Sequence, residues 1–524
     1  YCSFFVACYS LDILTHRMNK RESLFRILLR LRFITLTGMF QWMHGFFSEG
    51  VTLMAALRFA KRFYSERCAL VCDGQRFTYR ELYFAARRLA QLLYTNYDLR
   101  RRMQVALFCR NHTLSVLLLP ALSRLGVHIK LLNTDMSSEN LAAYLQRGKV
   151  SLLIYDYELQ ERCSAALPAC KAVTSETLSQ LLFDKKKIVL NKKLPSRVGK
   201  PVISVLTGGT SGTYKEAGRK SSATQFLSPF FALLKDVRIY RYSGVFLSLP
   251  LYHGFGLATL IISLLMGKKI CMMRRFDAAE ALAFIRQEAI EVLPIVPAML
   301  ARMWQNENVI GDLQTVKCMI SGGDRLDKKW VETVHQQLGK ILYNLYGTSE
   351  AGFFMLATPQ DLEANEEVTI GKPIRGVVCQ LREVDPQGVG TLWVRSRWAM
   401  QGRGNRWQST GDLMWCNPRG YYFHRGRADQ MVVCGGENVY PEHVERVLSQ
   451  HHEVVAAQVY AVEHAQFGHV LEARVELAPN ALATPDSIKR WLVPRISRAE
   501  MPHRILLQTI PLLSTGKRKA INGM

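Results

Sequence analysis

The sequence predicts a large α/β domain with a β-rich subdomain, followed by a small α+β domain. Three observations carry this. Apolar, strand-like runs alternate with amphipathic helical stretches from about Phe47 to about Val377, the pattern of a doubly wound parallel sheet. The texture changes at "GVVCQLREVDPQGVGTLWVRS", where two strand-like runs flank a turn at Asp385 to Gly388, so β structure follows the α/β body. Beyond "HRGRADQ" the chain alternates again in shorter pieces. A chain of 524 residues is too long for one compact core, which fits two or more domains.

Each element has its own local reason. "RFTYRELYFAARRLAQLLY" reads as a strand end, a cap at Thr78 and an amphipathic helix. "MQVALFCRN" is a buried strand, "SVLLLPALSRLGV" a helix and "KVSLLIYD" another strand. "KKKIVLNKKLPSRVGK" is a basic connector broken by proline. In the C-terminal part, "PEHVERVLSQ" is a helix that opens on proline, "VVAAQVYAV" a strand and "PDSIKRWLVPRI" a helix. The domains expected are a basic amphipathic extension over 1–46, a main domain over 47–427 and a C-terminal domain over 428–524.

Composition is globular, 48% hydrophobic and 21% charged. The net charge is +25, which suits nucleic acid, an anionic membrane or polyanionic substrates such as nucleotides. No zinc-finger or RNA-binding signature accompanies it, so no nucleic-acid partner is expected. Twelve cysteines are scattered without a CxxC, as in a cytosolic protein with reduced thiols. Between Arg17 and Arg32 stand Arg17, Lys20, Arg21, Arg26, Arg30 and Arg32 against the single acid Glu22, among leucines and phenylalanines. Residues 17–36 therefore read either as a helix on an anionic membrane surface or as a basic helix packed on the protein body. The arginines interrupt every apolar window of about 20 residues, so a spanning helix is not expected. The location expected is cytoplasmic, with or without peripheral attachment to the inner face of a membrane.

The chemistry starts at "LTGGTSGTYK", Leu206 to Lys215. Glycines let backbone N–H groups turn inward, hydroxyls add donors and a lysine adds charge, a combination that cradles phosphate. The spacing is not that of a P-loop, which needs Lys directly after its second glycine. Further on, in order, come "PLYHGFG" (250–256), "SGGDRL" (321–326), "YGTSEAG" (346–352), "STGDL" (409–413), "RGRADQMVVCGGENVYPEHVE" (425–445) and "STGKRK" (514–519). Alone, Glu350 reads as a surface acid, Asp412 as a turn residue and Lys517 as part of a basic tail.

The ordered set resembles the adenylate-forming superfamily, over about residues 47 to 524, with acyl- and aryl-CoA ligases closest in texture through "GGENVYP" and "PLYHGFGL". The resemblance implies the adenylate-forming fold with a mobile C-terminal domain. It also implies a two-step reaction in which a carboxylate attacks the α-phosphate of ATP, giving acyl-AMP and pyrophosphate, and a thiol then takes the acyl group. ATP, magnesium and coenzyme A are the implied cofactors. By the same resemblance Thr207, Gly208, Gly209, Thr210, Ser211, Gly212 and Lys215 form a pyrophosphate loop. Gly322, Gly323 and Asp324 line adenine, with Tyr346 offering its ring and Gly347 beside it. Thr348 holds the α-phosphate and Glu350 the metal. Asp412 accepts the ribose hydroxyls, and Arg427 adds a charge. Lys517 bridges carboxylate and phosphate, and His253 stands beside the acyl site. Asp429 is the hinge, and Gly435 and Gly436 line the thiol channel. The family's loop usually continues Pro-Lys-Gly; here Tyr214, Lys215 and Glu216 stand there.

The stretch around His253, "VFLSLPLYHGFGLATLIISLL", contains no acid. That disfavours an amino acid substrate, whose ammonium needs a buried partner. A fatty acid is the main expectation and an arylcarboxylate the runner-up, with coenzyme A or an acyl-carrier protein as acceptor. From another class, a degenerate member that binds nucleotide or acyl chain without turnover stays open.

Overall fold

The computed structural model describes residues 23–164, 170–184, 194–195, 199–208, 214–220, 227–348, 350–399, 405–430, 432–434, 437–464 and 468–511. The chain divides into two compact units, residues 1–275 with 290–292, and residues 276–289 with 293–524.

The first unit is built on a six-stranded sheet in the order Lys171–Thr174, Leu152–Tyr155, Gln104–Phe108, His128–Leu131, Val202–Gly208, Tyr214–Lys220. The first five strands are parallel and the last is an antiparallel edge. The helix Tyr79–Asn96 opens on the expected cap, reinforced by a capping box between Thr78 and Glu81. The helix Thr113–Leu125 is buried along its whole length, which is why its sequence is apolar without a polar face. A second set of strands in this unit places Cys68–Cys72 parallel to Lys269–Met272, which is parallel to Gly244–Leu247.

Directly after the strand Leu152–Tyr155, Asp156 accepts hydrogen bonds from Arg110 N at 2.8 Å, Ser175 Oγ at 2.7 Å and His112 Nε2 at 2.9 Å. His112 Nδ1 accepts from Ser115 N, so the ring proton sits on Nε2 and points at the carboxylate. Burial alone would push the Asp156 carboxyl up; these donors bring it down to about 2. Cys109 lies in the same cluster, its thiol raised by burial and by Asp156. The group is a satisfied knot that ties the helix cap to two strand ends.

Of the expected N-terminal membrane helix, residues 17–22 lie outside the described residues. The described part packs inward. Leu24, Ile27 and Leu28 of the helix Leu24–Arg30 are buried, as are Leu31 and Phe33. The Phe33 ring lies 5.4 Å from Phe59 and 6.0 Å from Phe230. Of the two readings of residues 17–36, packing on the protein body describes residues 23–33. No described helix is long and apolar enough to cross a membrane.

In the second unit, Cys318–Gly322 and Leu342–Thr348 are parallel, and Leu342–Thr348 turns back antiparallel into Gly352–Ala357. The expected hairpin follows, Val377–Arg382 against Val389–Ser396, closed by Gly388 N donating to Asp385 O at 2.9 Å. It belongs to a four-stranded antiparallel sheet completed by Gln408–Cys416 and Tyr422–Arg427. The C-terminal strands and the helices Pro441–Leu448 and Pro485–Leu492 enclose a core of their own, with Val444, Leu448, Ala457, Leu471 and Ile488 at its centre.

Candidate active site

In the second unit the site is built at the ends of two parallel strands, the place where open α/β sheets bind ligands. The register pairs Gly322 with Leu345. The backbone of Gly322–Asp324 therefore leaves its strand beside Tyr346. The "YGTSEAG" motif is the tip of a hairpin, with Thr348 opposite Gly352 and Gly347 opposite Phe353. A Cβ on Gly347 would lie 2.4 Å from Gly352 O, so no other residue closes this hairpin as tightly. Thr348 Oγ1 accepts from Ala351 N at 3.0 Å, which fixes the turn carrying Glu350. A half-buried carboxylate on such a turn is a hard oxygen donor of the kind magnesium takes.

Asp412 is the centre of charge. It lies on Gln408–Cys416 and is buried. The Tyr346 hydroxyl donates to its Oδ2, and Arg427 Nη1 donates to Oδ1 at 3.2 Å. His424 Nε2 stands 3.7 Å from Oδ1. Burial would raise the Asp412 carboxyl, but His424, Tyr346 and Arg427 outweigh it and hold it below the usual range. The Tyr346 phenol is pushed well up, by burial first and Asp412 second. Its ring meets Phe354 edge-on at 5.2 Å. Arg427 also grips Asp429, Nε to Oδ1 and Nη2 to Oδ2, both at 3.0 Å. One guanidinium thus joins the proposed ribose carboxylate to the proposed hinge carboxylate.

In the first unit the described ends of the glycine-rich stretch lie on paired antiparallel strands. Thr207 pairs with Lys215 and Gly208 with Tyr214. Gly209, Thr210, Ser211 and Gly212 lie outside the described residues, as do Gly435, Gly436 and Lys517. His253 stands at the N-cap of the apolar helix Gly254–Leu265. A Cβ on Gly256 would meet Pro250 O at 2.3 Å, which explains the glycine in the turn of "PLYHGFG".

Two residues near these motifs went unread in the sequence. Asn111 clamps the loop before His253 with both ends of its amide, Nδ2 to Leu249 O at 2.9 Å and Oδ1 from Leu251 N at 3.0 Å. A lone Asn in "CRNHT" carries no signal for a partner more than a hundred residues away. His424 sits between Asp412 and Glu442, whose Oε2 is 3.6 Å from Nδ1. Its place in a strand end gives no hint of either carboxylate.

A family model described as AMP-binding enzyme matches residues 57–402, more than half of the chain. The chain belongs to the AMP-binding enzyme family. It is an AMP-forming acid–thiol ligase of that family, using ATP, magnesium and coenzyme A. Among curated relatives, the 2-succinylbenzoate–CoA ligase of Geobacillus kaustophilus (strain HTA426) is 26% identical over 460 residues, 84% of this chain and 91% of the relative. The fold is shared with o-succinylbenzoate CoA synthetase (MenE) from Bacillus subtilis in complex with OSB-AMP, at TM-score 0.73 and 21% identity, covering 90% of this chain and 99% of that one. It is also shared with the anthranilate CoA ligase AuaEII in complex with anthranoyl-AMP, at TM-score 0.76 and 19% identity, covering 89% and 95%.

Proposed function

We propose that this AMP-binding enzyme activates an arylcarboxylic acid as its acyl adenylate and passes the acyl group to coenzyme A. The observation that carries the substrate class is the likeness to 2-succinylbenzoate–CoA ligases, extending over most of both chains. The fatty-acid expectation drew on the apolar run after His253 and on an N-terminal membrane helix. That run serves an aryl ring equally well, and residues 23–33 pack on the protein body. The runner-up therefore becomes the main reading.

In this reading Tyr346 and the Gly322–Asp324 backbone hold adenine, Asp412 and Arg427 the ribose, and Thr348 the α-phosphate. Glu350 would hold magnesium, which would supply positive charge to the phosphates. Lys517 bridges the two reacting anions. His253 borders the acyl group. The glycine-rich stretch from Thr207 to Lys215 binds pyrophosphate. The domain over 428–524 turns about Asp429 to present Gly435 and Gly436 for thiolation. The absence of any acid between Val245 and Leu265 supports an uncharged acyl pocket wall.

The test is pyrophosphate release with Mg·ATP across benzoate, 2-succinylbenzoate, anthranilate, C6 to C18 fatty acids and several amino acids, each with and without coenzyme A. Release confined to aryl acids, with thioester formed, is expected. A preference for fatty acids sinks the aryl reading. Release without thioester moves the acceptor to a carrier protein. Nucleotide binding without release with any acid sinks the proposal in favour of a non-catalytic binder.

A further inference from the structure

The helix Leu36–Glu49, "LTGMFQWMHGFFSE", is apolar on both faces. Its inner face packs on the first unit. Gly38 and Gly45 are buried, and Trp42 stacks on Phe59 at 4.5 Å. The opposite face carries Leu36, Phe40, Met43 and Phe47, exposed by 89%, 59%, 40% and 84%. The spacing of four, three and four residues sets them in one stripe. His44 and Ser48 stand beside the stripe, and a contiguous exposed stripe of large apolar side chains marks a surface that meets something.

Charge identifies what it meets. The only acid of the helix is Glu49, and it is buried. Arg124 Nε donates to its Oε2 at 2.6 Å and the Tyr83 hydroxyl to its Oε1 at 2.8 Å. The segment that feeds the helix exposes Arg26, Arg30 and Arg32, and Arg17, Lys20 and Arg21 precede it in a chain of net charge +25. We propose that the Leu36–Phe40–Met43–Phe47 stripe docks on the surface of an anionic lipid bilayer. Phe40 and Phe47 enter the interface, and the exposed Arg26, Arg30 and Arg32 pair with lipid headgroups. A second copy of the chain fits less well. A two-fold contact presents the same patch from both sides and brings both sets of arginines into one interface. The attachment lies one helix later than the N-terminal sequence pattern suggests, because the leucines before it are consumed in packing.

The proposal is independent of the acid that the enzyme activates. The experiment is co-sedimentation of the full chain with vesicles of phosphatidylcholine alone and of phosphatidylcholine with phosphatidylglycerol. The double variant Phe40→Glu/Phe47→Glu runs alongside, its fold checked by thermal melting and by ATP binding. Sedimentation only with the phosphatidylglycerol vesicles is expected, weakened by salt and reduced about tenfold or more in the double variant. No sedimentation of the parent chain overturns the proposal, and so does equal sedimentation of parent and variant. A dimer in analytical ultracentrifugation that the double variant dissolves, without vesicle binding, overturns it in favour of self-association.

Discussion

Single side chains here serve more than one partner, and that sets what their loss does. Asp156 accepts from three donors, two of them buried. Asp156→Ala leaves Arg110 N and the His112 ring without their acceptor, while Ser175 Oγ keeps Glu176 Oε2 at 3.1 Å, and a loss of about 2–3 kcal/mol is expected, read as a lower thermal midpoint at pH 7. The sign with pH follows from the depressed carboxyl. Its folded value is about 2, against an ordinary value of about 3.9 in the unfolded chain. Its contribution is complete above about pH 4 and is lost as the pH falls through 2. The gap between parent and variant therefore narrows as melts are run from pH 5 down to pH 2. Asp412 is another shared carboxylate. Asp412→Ala removes the proposed ribose acceptor, and kcat/KM for ATP is expected to fall about a hundredfold. Steady-state pyrophosphate release at varied ATP checks it.

Elements depend on a few contacts that fix where they end. The buried Glu49 anchors the last turn of Leu36–Glu49 through Arg124 and Tyr83. Glu49→Ala strands a buried guanidinium, and a loss of about 3–5 kcal/mol is expected, measured by denaturant unfolding. The turn of "PLYHGFG" depends on the absence of a side chain at 256. Gly256→Ala forces the Cβ against Pro250 O, so the loop carrying His253 shifts. The expected result is weaker use of the acid with little change in ATP binding, visible as a raised KM for the acid in the pyrophosphate assay. Asn111→Ala releases the same loop from the other side and moves the same parameter.

At the scale of the whole molecule, local pattern and ordered motifs were legible, and long-range partnerships were not. The Thr78 cap, the Asp385–Gly388 turn and the proline-led helix at Pro441 rest on nearest neighbours, and they stand where the sequence put them. The membership in the AMP-binding enzyme family was legible because many short motifs in one order are improbable together. The burial of Leu24, Ile27 and Leu28 was not, because an apolar stripe looks the same whether protein or lipid covers it. Asn111 was silent because its partners come from a distant segment, and His424 because nothing in its strand marks the carboxylates of Asp412 and Glu442 beside it. The full reaction gives one more expectation. Lys517→Ala is expected to lose adenylation by about a hundredfold or more, while thioester formation from supplied acyl adenylate and coenzyme A persists. Parallel assays of the two half-reactions check this, and equal loss in both removes the role assigned to Lys517. Finally, Arg427 holds Asp412 with one nitrogen and Asp429 with two others. Two carboxylates that draw on one cation are thermodynamically coupled. Whatever displaces Asp429 alters the grip on Asp412 and on anything bound there, and binding there alters the freedom of Asp429 by the same factor.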